Sequence, residues 1–579
     1  MRAPRRTGEV SWPIAFPILS QRVTSLELLR YGMLTKVGIL AGTLGAAYLI
    51  AIGFVFLRPN SHFILELLAA QYLLLLPAVV LVGFANSKSN WLQRLQLPRA
   101  GFFYLIYAAI VLFMSLGMHK GIFGGDESSY RFQSRIFLNG RLVAEAPPQI
   151  ASDEATYKRE FRFHHHVIYQ GKWFSKYPPG WPAVLALGSA VNIDWLVNPI
   201  LAGLIVWIGY RISILVFDES VGRIALSILL ASPYFLLNSI GFMPHPLCGA
   251  LLAGSSLLFF QGIKNGRTSD FVWMQILIAC SLLVRPLTGA VVAVVLGAGM
   301  LWHFRRRPGR FGALLATGAL IASLAVGTQL AYNRALTGSV WMNPYSAARG
   351  LGASLPAEVT LNPAGILANI RTITRWSLES TILYAFPFVL LLALYAVFRE
   401  REHRWEARIL GALFGALVVG YTVQTEPSGT HFGERYYYET YFAIAILSAR
   451  GAQLLAGGLQ LRSAVASGLL LLSATVLQCV LLVSRAGNEW KLERQERDVI
   501  AEIKIVRGVV FLPHDYGLDA NSNAADWRQA SVFYMVDPGA SRRAAIVCGL
   551  GYESWVALTE TDEKQLRVER SGTEACKVE

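Results

Sequence analysis

The stretch PLTGAVVAVVLGAGMLWHFRRR, residues 286–307, indicates the class of fold. It contains no Asp, Glu, Lys or Arg before Arg305. An α-helix needs about 20 mostly apolar residues to cross a hydrocarbon core of about 30 Å. Arginines directly after such a run are typical of the cytoplasmic end of a span. The stretch therefore predicts a membrane span over residues 286–303.

Apolar runs of this length recur from residue 37 to residue 484. The chain of 579 residues is 54% hydrophobic and only 15% charged, with a mean hydropathy of +0.43. We predict an all-α polytopic membrane protein with about 13 transmembrane helices. The predicted spans are 37–57, 63–84, 101–118, 195–217, 223–243, 245–262, 271–285, 286–303, 311–331, 379–398, 409–425, 438–457 and 464–484. The apolar stretch 180–191 is too short for a span and is predicted to be re-entrant or interfacial.

The formal net charge of +15 comes from basic residues between the spans. In a soluble chain it would suggest nucleic acid, but here the basic clusters set orientation, and no nucleic-acid partner is expected. The basic leader 1–36 is expected in the cytoplasm. The number of predicted spans between the basic clusters keeps all of these clusters on the cytoplasmic side. The same count puts residues 119–180, 332–378, 426–437 and 485–579 on the outer face of the plasma membrane.

Residues 485–579 have a different composition, with 13 Lys/Arg against 16 Asp/Glu. A charged helix is predicted over 488–507, and GVVFLP, ASVFYMVD and RAAIVCG are each typical of a short strand. We predict a small extracytoplasmic α+β domain. Cys548 and Cys576 either pair there or stay as free thiols.

Nucleotide-binding motifs are missing from the sequence, which has no P-loop, no GxGxxG after a strand and no CxxC. No cofactor is therefore expected, although a divalent metal is left open. The triplet His164, His165 and His166 is a weak metal candidate, because adjacent loop residues seldom share one ion. We expect no metal site there.

The first large outer loop, 119–180, opens with GGDESSYRFQSRIFLNGRL. Asp126 and Glu127 precede an amphipathic helix, which is expected to lie in the membrane interface on an apolar face of Tyr130, Phe132, Ile136 and Phe137. An ionised carboxylate near hydrocarbon usually faces a wet cavity. Asp126 is either the N-cap of this helix or a catalytic group. We predict Asp126 as catalytic, supported by Glu127.

The same loop closes with SKYPPGWP, residues 175–182. The prolines fix an extended entry, Gly180 permits a close backbone approach, and Trp181 is an interfacial anchor. Lys176 is either a snorkelling cation or a phosphate-binding cation. Because acids open the same loop, we expect Lys176 to meet them over a pocket that is open to lipid.

These motifs, in this order, resemble the GT-C superfamily of polyprenyl-phosphate-sugar glycosyltransferases. The resemblance is to the branch of lipid A aminoarabinose transferase and protein O-mannosyltransferases, and covers residues 100–484. It implies that Asp126 is the catalytic acid residue beside the acceptor, and that Lys176 contacts the donor phosphate. Two departures are the extra N-terminal spans and the Tyr177 between Lys176 and the prolines.

Further cations are candidates for the donor site. Arg285 interrupts an apolar stretch, which is costly unless the guanidinium is paired or wet. Arg435 begins a tyrosine-rich segment at the outer end of a span, and His245 lies at a kink between spans; each could equally be structural. Tyr130 and Tyr177, one in each loop motif, complete the expected donor phosphate and sugar site.

The expected function is therefore transfer of a sugar from a polyprenyl phosphate to a hydroxyl on a glycan, lipid or protein acceptor. Such a reaction needs a carboxylate near the acceptor hydroxyl and cations near the leaving phosphate. The alternatives are a lipid or solute transporter or flippase, and a polysaccharide ligase or polymerase with a polyprenyl-diphosphate donor. Transporters tend to have paired broken helices and internal symmetry, and neither is visible in the sequence.

Overall fold

The computed structural model describes ten parts of the chain: residues 98–117, 125–147, 166–348, 362–373, 385, 389–424, 434–458, 505–513, 523–560 and 566–573. Several predictions lie outside these residues. They are the leader 1–36, the spans 37–57, 63–84 and 464–484, and residues 488–504 of the charged helix predicted over 488–507, whose last three residues are described and are not helical.

The elements of the membrane part are, in chain order, α1 Ala100–Gly117, α2 Gly125–Leu138, β1 Ala144–Glu145, β2 His166–Tyr169, β3 Lys172–Ser175, α3 Gly180–Ala190, α4 Asp194–Val216, α5 Glu219–Leu230, α6 Pro233–Asn238, α7 His245–Asn265, α8 Thr268–Leu282, α9 Pro286–Phe304, α10 Pro308–Thr337, α11 Pro344–Ala348, α12 Pro363–Thr372, α13 Val389–Arg399, α14 Arg404–Gly420 and α15 Tyr441–Gly458. Two 3₁₀ segments, Tyr421–Val423 and Arg435–Thr440, follow α14 and precede α15.

Six helices in the described part of the chain are long and apolar enough to cross a membrane. They are α1, α4, α7, α9, α10 and α14 with its 3₁₀ extension, while α8 and α13 are shorter apolar helices. Large apolar side chains point outward from this bundle, such as Leu105, Val294 and Phe398. Such exposure suits contact with lipid, and the protein is an integral membrane protein. α3, with eleven residues, is too short to cross.

The predicted span 223–243 is wrong, because the chain breaks there into α5 and the short α6. Pro233 has no N–H and cannot continue α5. Ser232 instead caps α6, its hydroxyl accepting a hydrogen bond from the Phe235 N–H at 3.3 Å. Elsewhere the helix ends shift: α10 runs on to Thr337, beyond the predicted end at 331, and stops at Gly338 with positive φ.

The C-terminal part contains β4 Gly508–Leu512, β5 Val532–Val536, α16 Ala540–Gly549, β6 Ser554–Glu560 and β7 Leu566–Thr573. The strand order is β5-β4-β6-β7, with β4 parallel to both of its neighbours. The predicted strand over RAAIVCG is wrong, since these residues lie in α16. A parallel sheet needs crossover connections, and a helix between β5 and β6 supplies one. Cys548 is disulfide-bonded, and its partner lies outside the described residues.

The apolar face of α2 packs on protein. Phe132 and Ile136 are fully buried in one cluster with Trp173 of β3 and with C-terminal residues such as Phe533. The Trp173 and Phe533 ring centroids are 6.4 Å apart. The expectation that α2 lies in the lipid interface is therefore wrong, because these aromatic side chains are covered by the C-terminal sheet. Tyr130, nearer the N-terminus of α2, joins the core of the membrane helices instead.

Candidate active site

Asp126 lies in the first turn of α2 and has two partners from distant parts of the chain. Its Oδ2 forms an ion pair with Arg435 Nη2 at 2.7 Å, and its Oδ1 accepts a hydrogen bond from the Tyr177 hydroxyl. Side chains of Asp126 and Arg435 are only 13% and 16% exposed. The Asp126 carboxylate therefore joins three parts of the chain, namely the first turn of α2, the segment after β3 and the 3₁₀ segment Arg435–Thr440.

Glu127 points to a different place. Its Oε1 accepts a hydrogen bond from the Phe242 N–H at 3.1 Å, and the residue is buried. The same turn is held by Asn198, whose amide donates to the carbonyls of Gly241 and Met243, and by Trp181. This contact suits a carboxylate that holds the α6–α7 connection, and a catalytic part for Glu127 stays a prediction.

Arg285 lies in the break between α8 and α9, which lets a charged side chain turn inward. Pro286 starts α9 and has no N–H to continue α8, so the helix stops before Arg285. The guanidinium then reaches Glu439, with Nε 2.9 Å from Oε1, and donates to the Tyr421 hydroxyl at 2.8 Å. Arg285 keeps 15% of its side chain exposed.

His245, the first residue of α7, shares the same carboxylate. Its Nδ1 lies 2.8 Å from Glu439 Oε1, and both side chains are buried. Sequence reasoning missed Glu439 and Tyr421. The sequence shows an acid four residues after Arg435, but the need of Glu439 for a cationic partner follows only from its burial in the structure.

Tyr436 separates the two arginines. The Arg285 guanidinium carbon is 4.7 Å from the centre of the Tyr436 ring, and the Arg435 carbon is 5.7 Å from it. The Tyr436 and Tyr421 rings are stacked with centroids 4.7 Å apart. An aromatic face stabilises a nearby cation, so one ring supports both guanidinium groups.

Lys176 lies beside Tyr177, on the same ring that serves Asp126. Its Nζ is 5.2 Å from the centre of the Tyr177 ring and 5.6 Å from that of Tyr345, which lies in α11. Tyr177 also stacks on Tyr130 with a centroid distance of 4.2 Å. The two ends of the outer loop 119–180 thus come together, and Tyr345 is a second aromatic residue that the sequence did not indicate.

Gly180 joins this loop to the Arg285 segment. Its N–H donates to the Leu283 carbonyl at 2.9 Å. A Cβ atom at this position would lie 2.7 Å from the same oxygen, which is closer than real Cβ contacts. Glycine is therefore required for the backbone approach that brings the end of the Lys176 segment next to the Arg285 break.

Burial raises the pKa of the Tyr130 and Tyr177 phenols well above the ordinary value, and the Asp126 charge raises both further. Both hydroxyls are therefore neutral hydrogen-bond donors at physiological pH. The Tyr177 hydroxyl can hold the Asp126 carboxylate without losing its proton.

Several buried polar atoms at the site have no hydrogen-bond partner among the described residues. They are Arg285 Nε, Arg435 Nε, His245 Nε2 and Glu439 Oε2. The Arg285 Nε is close to Glu439 Oε1 but not aligned for a hydrogen bond. Buried polar groups are normally satisfied, so this concentration of unsatisfied polar atoms, which includes two guanidinium donors, is typical of a site for a polar, anionic ligand.

The described residues include no group of three His, Cys, Asp or Glu side chains placed to hold a metal ion. His164 and His165 lie outside these residues, while His166 begins β2. The prediction about metal stays a prediction.

No family model matches the sequence, and no curated protein matches it either. Solved structures do match. ArnT from Cupriavidus metallidurans bound to undecaprenyl phosphate is 12% identical over 80% of this chain and 94% of that chain, with a TM-score of 0.53. The apo structure of the same protein is 11% identical over 80% and 93%, with a TM-score of 0.50. The oligosaccharyltransferase AglB from Archaeoglobus fulgidus is 13% identical over 79% and 69%, with a TM-score of 0.47.

The comparison of folds depends on the two ArnT structures, which this chain matches over nearly their whole length. At this level of identity the likeness concerns the arrangement of the helices and carries no residue roles. The chain has the fold of the GT-C glycosyltransferases.

Proposed function

We propose that the protein is a membrane glycosyltransferase that moves a sugar from a polyprenyl-phosphate donor to a hydroxyl acceptor. The observation that carries the proposal is one cluster of charges around two tyrosine rings. Asp126 pairs with Arg435 and accepts a hydrogen bond from the Tyr177 hydroxyl. Lys176 lies against the Tyr177 ring, while Arg285 and Arg435 lie against the Tyr436 ring. The GT-C fold supports it, and one ArnT structure holds undecaprenyl phosphate.

Asp126 acts on the acceptor in this proposal. An Asp126 carboxylate oxygen accepts the proton of the acceptor hydroxyl as the oxygen attacks the anomeric carbon of the donor sugar. The new glycosidic bond forms while the bond from the anomeric carbon to the phosphate oxygen breaks. Attack from the opposite side inverts the configuration, and polyprenyl phosphate leaves with the electron pair. Arg435 and Tyr177 hold the carboxylate for this step.

The other cations act on the donor. Negative charge grows on the phosphate as the bond breaks, and pre-oriented cations stabilise that charge. Arg285 and Lys176 are the groups for this task, with His245 next to Arg285. The stacked pair of Tyr130 and Tyr177 forms the wall of the site beside the sugar. Arg435 was expected at the phosphate, but its ion pair with Asp126 favours a role in holding the base.

The outer face is the proposed location of the site. Arg285 and Arg305 lie at opposite ends of α9, which is about 28 Å long at 1.5 Å per residue. If the arginine cluster at 305–307 is cytoplasmic, the site lies on the extracytoplasmic side. The disulfide at Cys548 supports the same side for the C-terminal domain, because disulfides persist in oxidising compartments.

The test is transfer of radiolabelled sugar from a polyprenyl-phosphate donor in membranes that contain the protein. We expect Asp126→Asn to reduce transfer by about 100- to 10,000-fold with normal insertion, because that is the typical cost of removing a positioned base. The matched control is Asp194→Asn, because Asp194 pairs with Arg131 at similar burial.

Undiminished transfer by Asp126→Asn would remove Asp126 from the chemistry. Movement of lipid across the bilayer without any glycosylated product would instead identify a flippase.

A further inference from the structure

We propose that Glu439 is a positioning residue that fixes the Arg285 guanidinium and the His245 ring for a lipid phosphate. The identity of the ligand as a lipid phosphate rests on the proposed function. The contacts of the Glu439 carboxylate with Arg285 and His245 are observed in the structure and do not depend on that function.

One oxygen of Glu439 serves two cationic or hydrogen-bonding side chains. Oε1 lies 2.8 Å from His245 Nδ1 and 2.9 Å from Arg285 Nε. His245 belongs to α7 and Arg285 to the break before α9, so one carboxylate ties together two helices that are separate in sequence. Both side chains lose rotational freedom through this contact, which lowers the entropy cost of binding a ligand.

Burial assigns different tasks to the partners. Glu439 is completely buried, whereas Arg285 keeps 15% of its side chain exposed. The part of Arg285 that stays exposed is therefore open to a ligand, whereas the Glu439 carboxylate is closed to it. Glu439 is placed to act through Arg285 and not by touching a substrate.

The backbone of Glu439 is also held in place. Glu439 lies in the 3₁₀ segment Arg435–Thr440, which packs on α7 at Gly249, where a Cβ atom would lie 3.4 Å from the Glu439 Cα, an ordinary van der Waals contact. The carboxylate thus projects toward Arg285 from a backbone that is packed against a membrane helix. Such support is what keeps a binding group within a fraction of an ångström of its productive position.

A second buried pair in the same protein provides a control. Glu400 Oε2 is 2.6 Å from Arg450 Nε, and the two side chains are 2% and 15% exposed, very close to the values for Glu439 and Arg285. Glu400 follows α13, next to the arginine-rich turn 399–408, and also accepts hydrogen bonds from the N–H groups of Arg401, Glu402 and His403. It lies outside the candidate site.

The experiment measures binding of undecaprenyl phosphate to the full-length protein in lipid nanodiscs. Loss of a charge-assisted contact to Arg285 is expected to raise the Kd of Glu439→Gln by about 10- to 100-fold. Glu400→Gln should stay within about twofold of the wild type. If Glu439→Gln fails to fold, Glu439→Asp replaces it, and its shorter side chain should raise the Kd by at least about threefold.

A double-mutant cycle separates positioning from mere stability. Because Glu439 acts through Arg285 and His245, adding Glu439→Gln to Arg285→Gln should raise the Kd by clearly less than it does in the wild type. Adding it to a variant that also carries His245→Ala should change the Kd by less than about twofold. Full additivity of the two substitutions, or an unchanged Kd in Glu439→Gln, would overturn the inference. If the wild type binds the lipid with this coupling but transfers no sugar, the proposed function fails and the inference stands. If it transfers sugar and the substitutions add, the inference fails alone.

Discussion

Replacing Arg435 by alanine should disable the Asp126 carboxylate without unfolding the membrane helices. The ion pair is 2.7 Å long, and its side chains are about one-seventh exposed. At an effective dielectric constant of about 20, unit charges about 4 Å apart attract each other by about 4 kcal/mol. Removing one partner of a buried pair costs about 3 to 5 kcal/mol, and the residual exposure here favours the lower figure.

A loss of about 3 kcal/mol in the placement of the base corresponds to roughly a 100-fold loss of kcat/KM. Arg435→Lys keeps the positive charge but not the planar fork, so its loss should be closer to about 10-fold. The assay is transfer of sugar from a polyprenyl-phosphate donor by equal amounts of purified protein. The matched control is Arg131→Ala, which breaks an ion pair of 3.0 Å to Asp194 that is 21% and 15% exposed.

Transfer by Arg435→Ala within about threefold of the wild type would show that Arg435 is not needed to hold the Asp126 carboxylate. An equal loss of activity in Arg131→Ala and Arg435→Ala would also contradict this role of Arg435. In that case the loss would come from the docking of α2 and not from the Asp126 carboxylate.

Two further substitutions test the packing that builds the site. Gly180→Ala should lower both sugar transfer and the Tm, because the added methyl would meet the Leu283 carbonyl at 2.7 Å and overpacking costs about 1 to 3 kcal/mol. The control is Gly297→Ala, since the space around Gly297 is open. Trp173→Ala should speed proteolysis of the C-terminal part, since removing a fully buried Trp costs about 3 to 5 kcal/mol. The control is Trp341→Ala, because Trp341 is exposed. Equal proteolysis in both variants would contradict the packing role of Trp173.

Charge patterning in the sequence identified much of the site. A carboxylate or guanidinium in an apolar context carries a penalty of at least about 2 to 3 kcal/mol. Asp126 and Arg285 stood out for that reason, and Arg435 stood out because it begins a tyrosine-rich segment at the outer end of a span. The structure brings these three residues into one cluster, and their roles remain proposals. Glu439 did not stand out, because an acid within a tyrosine-rich segment at the end of a span is equally typical of the membrane interface.

The sequence predicts where helices occur more readily than where they break. The run 223–243 is mostly apolar after Arg223, so its high hydropathy continues across Ser232 and Pro233 although the helix does not. In the C-terminal part, β-branched residues favoured a strand over RAAIVCG. The parallel pairing of β4 with both β5 and β6 requires a crossover there, and tertiary context overrides a weak local preference.

The two adjacent acids that open α2 illustrate how local geometry divides their tasks. Neighbouring residues in an α-helix point about 100° apart, so Asp126 and Glu127 cannot face the same partner. Asp126 meets Arg435 and Tyr177, whereas Glu127 turns to the backbone N–H of Phe242. That turn ends at Met243, whose sulfur contacts Arg435 at 3.8 Å. The two acids thus reach the same neighbourhood by different contacts, because Asp126 pairs with Arg435 directly whereas Glu127 binds the turn that lies against this arginine.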